Sequence, residues 1–375
     1  MEIDRIIILD SWYKMEYNHF KYIGTRGIEI CIMLISKNYI KWRGYTMSKD
    51  ANTIKKEIKK FLLINFCLIA FISIFLFLSS TKQNASEFAV NFAGLFMYIP
   101  AFSTIVVLKK FSDYKFKQEI DKFFKVFAIA TLVRIVITIG ETFLLSSIWI
   151  SSLLDTFVSA YLLYFVLVNS HEMRDINLCL GKNSKKVATV ILIFVILIVA
   201  SNIPEIIKGQ VNVDKLAENL VIAMISLITN FLIGFNLFFG EEFGWRYFLQ
   251  PRLQKLYGKR FGVIILGFIW GIWHAPLCFI LYSPKTPVYC VIGHVATCIF
   301  LGIFLGYAYM KTGNVWAPML IHMVNNVIGI IFGGGYTAVY TLETLLYSIL
   351  IYAIFFMPFL LTKEYKANKF KLVKS

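Results

Sequence analysis

The sequence predicts an all-α, polytopic membrane helix bundle of about ten transmembrane helices. Apolar runs of about 20 residues recur along most of the chain. Of 375 residues, 58% are hydrophobic, 17% aromatic and only 16% charged, with a mean hydropathy of +0.69. A soluble domain carries about 25% charged residues. The net charge of +16 is split into short Lys/Arg clusters between apolar runs and makes no single basic face, which excludes nucleic acid as a partner and points to topology and anionic lipid.

The expected spans run, in order, over 61–80, 88–108, 123–145, 148–168, 187–203, 220–240, 262–281, 288–310, 315–332 and 340–361. An even number of crossings puts both ends on one side. Lys55, Lys56, Lys59 and Lys60 precede the first span, and Lys363, Lys366, Lys369, Lys371 and Lys374 follow the last, so both termini read as cytoplasmic. Further basic clusters follow the second, fourth and sixth spans, at Lys109–Lys117, Arg174–Lys186 and Arg246–Arg260, whereas the opposite connection over 202–218 is balanced. The expected localisation is a cell membrane, crossed many times.

The expected organisation is a cytoplasmic N-terminal segment (1–60), an added transmembrane module (61–204), a core carrying the chemistry (216–335), a last transmembrane helix (336–362) and a basic cytoplasmic tail (363–375). Residues 1–46 lack the basic start, apolar stretch and small-residue cleavage site of a signal peptide. They read as a peripheral amphipathic extension or as a start assigned upstream of Met47. The six cysteines, Cys31, Cys67, Cys179, Cys278, Cys290 and Cys298, form no CxxC pair, which excludes a disulfide framework or a zinc ribbon.

Ionisable groups in or beside membrane helices are functional-site candidates. Glu241-Glu242-Phe243-Gly244-Trp245-Arg246 continues directly from the apolar run 220–240, so helical spacing is expected to apply. Glu242 and Arg246, four apart, then share a face and pair, while Glu241 points roughly 100° away, into the bundle and free of a close cation. Such a carboxylate is a competent general base. An ordinary charged helix end reads the same motif without chemistry.

His274 sits inside a span and needs a polar partner on another helix; Trp270, Gly271 and Trp273 around it look like packing residues. His322 and Asn326, four apart, project together and suit an oxyanion hole, although interhelical hydrogen bonding accounts for either alone. His294 reads as a bystander or supporting group. Arg134 and Glu141 share a face and suggest a structural pair, with Asp155 nearby. The small-xxx-small pairs Gly267/Gly271, Gly302/Gly306 and Gly329/Gly333 read as close helix packing.

Together these three ordered motifs resemble the CPBP family of intramembrane proteases, also called the CAAX protease and bacteriocin-processing, or Abi, family. Glu241-Glu242-x-x-x-Arg246, an aromatic before His274, and His322-x-x-x-Asn326 carry the resemblance, which covers about 220–332. Trp270 stands four residues before His274, where the family usually has Phe. The resemblance implies an endopeptidase acting on a membrane-associated or peptide substrate. Glu241 and His274 would activate water, His322 and Asn326 would stabilise the oxyanion, and Glu242 and Arg246 would support them. It implies peptide maturation or bacteriocin self-immunity as the setting.

A glutamate mechanism needs no cofactor. Zinc is the alternative, held by Glu241, His274 and His322, although His-Glu-x-x-His is absent, with Asp175 standing where His171-Glu172 would need its second histidine. No Gly-x-Ser-x-Gly supports a serine route. A transporter with a Glu/His relay, or an immunity or scaffold protein, is the non-enzymatic alternative.

Overall fold

The computed structural model describes residues 51–112, 114–207, 215–331 and 339–366. The segment 1–46, Gly333 of the last glycine pair and Lys369, Lys371 and Lys374 of the tail lie outside the described residues. The described residues from Lys55 onward form one compact unit.

Twelve helices carry the described chain: α1 (Ala51–Ser79), α2 (Ala85–Lys110), α3 (Gln118–Gly140), α4 (Trp149–Val168), α5 (Ser184–Ile207), α6 (Leu216–Ile233), α7 (Phe235–Glu242), α8 (Gln250–Tyr257), α9 (Lys259–Trp273), α10 (Pro287–Thr312), α11 (Trp316–Ile331) and α12 (Leu342–Phe356). No strand occurs among the described residues. Among the described residues, eight helical segments are long and apolar enough to cross a membrane, and a ninth span results if α9 is counted with the segment Ala275–Tyr282, bent 42° from it. The remaining expected span, 315–332, is α11, a 16-residue helix with polar residues at its core. The chain is a multi-pass membrane protein.

The run expected as one helix over 220–240 is two. Gly234 interrupts it, and a Cβ there would lie 2.9 Å from the Asn230 carbonyl oxygen. The break separates unlike environments. In α6 only Ala223 is buried, so this helix faces lipid, whereas Phe235, Asn236, Phe238, Phe239, Gly240, Glu241 and Glu242 of α7 are all buried. Immediately after Glu242 the backbone widens into a π-helical stretch, Phe243–Leu249. Such bulges concentrate at functional sites because they re-aim side chains within a continuous helix.

Helix α7 is seated on α2 by two glycines. A Cβ at Gly240 would lie 2.4 Å from the Met97 carbonyl oxygen, and one at Gly244 would lie 2.6 Å from the Pro100 carbonyl carbon. Only glycine permits this backbone approach, so the pair fixes the position of the intervening Glu241 and Glu242. Gly267 and Gly271 do the same between α9 and α10, where added methyls would meet the Cα atoms of Ile299 and Val295 at 2.4 and 2.5 Å.

A buried polar network ties the earlier helices to α7. Arg134 on α3 binds Asp155 on α4 in a fork, Nε to Oδ1 at 2.9 Å and Nη2 to Oδ2 at 3.0 Å. Its Nη2 also donates to Asn91 Oδ1 on α2 at 2.6 Å. Asp155 accepts from Tyr98 Oη at 2.6 Å. Tyr98 in turn accepts from Asn236, whose side chain also accepts from Ser159. Asn236 opens α7, so this chain of bonds fixes the root of the helix that ends in Glu241 and Glu242. The expected Arg134–Glu141 pairing is replaced by Arg134–Asp155. Glu141 lies in the π turn Glu141–Leu145, and its carboxylate accepts from Ile150 N, Ser151 N and Ser151 Oγ. It thereby satisfies the N–H groups that every helix start leaves orphaned, here those of α4.

The loop before α5 anchors the start of α11. Asn177 and Asn183 adopt left-handed conformations at φ 56° each. Asn314 Nδ2 donates to the Cys179 and Lys182 carbonyls at 2.9 and 2.8 Å, and Trp316 Nε1 donates to the Leu178 carbonyl at 2.9 Å. The entry of α11 is thus pinned, and with it the register of His322.

Candidate active site

Three elements converge: the α7 terminus with its π stretch, the end of α9, and α11. Glu241 and Glu242 are consecutive and both buried, with 2% and 0% of their surface exposed, and their carboxylates part company as the helical geometry predicts. Glu242 turns to Arg246, whose Nε donates to Oε2 at 2.9 Å with both side chains fully buried. The Arg246 guanidinium also lies over the face of Trp270, 5.0 Å from the ring centroid. The second oxygen of Glu242 accepts from His322 Nδ1 at 2.9 Å. Glu242 therefore joins α7 to α11 through one carboxylate, with Arg246 supplying the balancing charge.

Glu241 turns toward α9. Its Oε1 accepts from the indole Nε1 of Trp270 and stands 3.9 Å from His274 Nε2. His274 Nδ1 lies 2.9 Å from the Trp270 carbonyl oxygen. A carbonyl only accepts, so Nδ1 carries a proton, and in the neutral ring Nε2 presents a lone pair toward Glu241. Trp270 thus holds both members of the pair, the carboxylate with its side chain and the imidazole with its backbone.

Trp270 is the residue the sequence reasoning missed, having read it as packing. Two signals pointed to it: the indole N–H of a buried tryptophan in an apolar span requires an acceptor, and position 270 lies one turn from His274, on its face. Phenylalanine at this position packs similarly but donates nothing. Trp270→Phe is expected to lower kcat on a cleavable peptide by about 10- to 100-fold, the worth of one hydrogen bond to a charged group, with KM little changed; steady-state kinetics of the two proteins checks this.

His322 is 6% exposed, its ring edge-on to Phe238 and Trp270 at centroid distances of 5.2 and 5.9 Å. With Nδ1 committed to Glu242, its Nε2 makes no hydrogen bond among the described residues. Asn326 stands one helical turn further along α11 and is exposed, its Oδ1 accepting from Asn325 Nδ2 at 3.4 Å. The structure brings Glu241, Glu242, Arg246, His274 and His322 together, while Asn326 is exposed and hydrogen-bonds to none of them among the described residues.

His294 belongs here too. Its ring lies 4.4 Å from that of His274, centroid to centroid, and stacks on Tyr282 at 5.3 Å. This bears on the zinc alternative. Of the expected zinc ligands Glu241, His274 and His322, the third gives its Nδ1 to Glu242. Among the described residues, the His/Cys/Asp/Glu group whose ligand atoms all lie within 4.8 Å of one another is His274, His294 and Cys298.

Neither a curated protein nor a solved structure matches the chain. Residues 214–328 match a family model described as type II CAAX prenyl endopeptidase Rce1-like. That stretch contains α6 to α10 and the part of α11 bearing His322 and Asn326, and so every residue of the cluster. The C-terminal half of this membrane protein therefore carries an Rce1-like endopeptidase domain of the CPBP family.

Proposed function

We propose that the protein is a metal-free, glutamate-type intramembrane endopeptidase in which Glu241 and His274 activate a water molecule and His322 with Asn326 stabilises the oxyanion. The observation that carries this reading is the pair of acceptors facing each other, Glu241 Oε1 and His274 Nε2, 3.9 Å apart. A water oxygen at about 2.8 Å from each bridges that gap and donates one hydrogen to each. Both lone pairs of that water stay free, and one attacks a peptide carbonyl carbon. As the carbon–oxygen bond forms, Glu241 takes the proton, and it returns that proton to the departing amine when the peptide bond breaks.

His322 donates Nδ1–H to Glu242, so donation to an oxyanion from Nε2 takes a doubly protonated ring. The local charges accommodate it. Glu241 and Glu242 bring two negative charges, Arg246 one positive, and a protonated His322 completes neutrality. Asn326, one turn further along α11 and exposed, supplies a neutral amide donor. The substrate class is a membrane-associated peptide, processed in maturation or bacteriocin self-immunity at a cell membrane, with both termini cytoplasmic in keeping with the basic flanks of the first and last spans.

Cleavage of a peptide panel by purified protein in proteoliposomes tests this. His322→Ala and Asn326→Ala are each expected to lower kcat by about 10²- to 10³-fold, and a chelator is expected not to lower the turnover of the wild type. Full turnover in both variants would overturn the oxyanion assignment. No cleavage of any peptide, with the variants still functional in cells, would favour a transport or binding role.

A further inference from the structure

We propose that His274, His294 and Cys298 form a binding site for a soft divalent cation of the Zn²⁺ class, and that an ion there blocks the active site by taking the lone pair of His274. The inhibitory part rests on the reading of His274 as a holder of the attacking water; the binding part does not.

The ligands are arranged by the fold. His294 and Cys298 are four residues apart on α10, so their side chains rise from one face a single turn apart. His274 meets them from the end of α9. All three ligand atoms lie within 4.8 Å of one another. Zinc–nitrogen bonds of about 2.0 Å and a zinc–sulfur bond of about 2.3 Å set tetrahedral ligand atoms roughly 3.3 to 3.5 Å apart, a distance that small side-chain rotations reach. The backbones cannot drift apart, because Gly267 and Gly271 bring α9 against α10 on either side of the site, at Ile299 and Val295.

The surroundings are those of a metal ligand set. His274 gives Nδ1–H to the Trp270 carbonyl, which leaves Nε2 for an ion and fixes the ring plane, as backbone carbonyls do for metal-bound histidines. Two imidazoles and a thiolate select Zn²⁺ or a comparably soft ion over Mg²⁺ or Ca²⁺. Cys298 would bind as thiolate and release its proton to solvent. His294 is only partly buried and stacks on Tyr282, which gives an ion a route in. Glu241 Oε1 stands 3.9 Å from His274 Nε2, so an ion that takes the Nε2 lone pair removes one of the two acceptors that hold the attacking water.

The test uses the full-length protein in detergent, stripped with a chelator and titrated with Co²⁺. One equivalent is expected to bind and to give a thiolate-to-cobalt charge-transfer band. The band is expected to vanish in Cys298→Ser, to weaken in His294→Gln and to persist in His322→Gln. Zn²⁺ is expected to displace the cobalt and to inhibit peptide cleavage, with Cys298→Ser raising the half-inhibitory Zn²⁺ concentration by at least about 10-fold. No band in the wild type, or a band surviving Cys298→Ser, overturns the site. A stripped enzyme that is inactive and restored by Zn²⁺ overturns the inhibitory role. Because the band needs no turnover, a wild-type band without cleavage of any peptide would refute the protease reading and leave the site standing.

Discussion

Glu241→Gln is expected to lower kcat by about 10²- to 10⁴-fold, the range a positioned general base contributes, while leaving KM and thermal stability close to wild type. The substitution is chosen for what it keeps. A glutamine side chain has the same shape, and its carbonyl oxygen still accepts from the Trp270 indole that holds Glu241. It loses only the ability to take a proton. Alanine would remove the Trp270 contact as well and leave a buried donor unpaired, confounding chemistry with structure. Kinetics of both variants beside thermal unfolding separates the two effects: both lose turnover, and only alanine also loses stability.

Arg246→Ala carries the second large effect, and it falls on stability. Glu242 and Arg246 are both fully buried and paired at 2.9 Å. Breaking such a pair from one side leaves an uncompensated charge and costs about 3–5 kcal/mol. Removing both charges restores much of that loss, since an apolar pair of similar volume needs no solvation. The double variant Glu242→Leu/Arg246→Leu is therefore expected to unfold closer to the wild-type temperature than Arg246→Ala does. It is not expected to regain activity, because His322 Nδ1 then has no carboxylate to donate to. Recovery of both properties together would reduce Glu242 to a structural role.

The fold class was legible because a membrane imposes length and apolarity on every crossing, and those two properties survive in a bare sequence. Breaks inside apolar runs were not. The run 220–240 reads as one helix by hydropathy, and nothing in its composition announces that Gly234 divides a lipid-facing helix from a buried one. That distinction is made by α2, whose backbone at Met97 and Pro100 receives Gly240 and Gly244.

The split between Glu241 and Glu242 followed from the helical turn angle and was readable in advance. Their partners across helices were less so. His322 pairs with Glu242 and His274 faces Glu241 because of how α9 and α11 lie against α7, which spacing along one chain does not encode. Arg134 illustrates the same limit. Periodicity offered Glu141 on its own helix, whereas the structure gives it Asp155 from the next, and Glu141 instead completes the start of α4. Trp270 was hidden for a different reason, since aromatic residues in apolar spans are ordinarily packing and only the indole N–H marks this one out.

The central claim is that Glu241 delivers water to a peptide bond. It is tested most directly by mass spectrometry of a peptide incubated with purified protein in ¹⁸O-labelled water, wild type beside Glu241→Gln. The account predicts two products from the wild type, with ¹⁸O in the new carboxyl terminus, and intact peptide from the variant over the same time. Undiminished cleavage by Glu241→Gln, or a peptide left whole by the wild type as well, would contradict it.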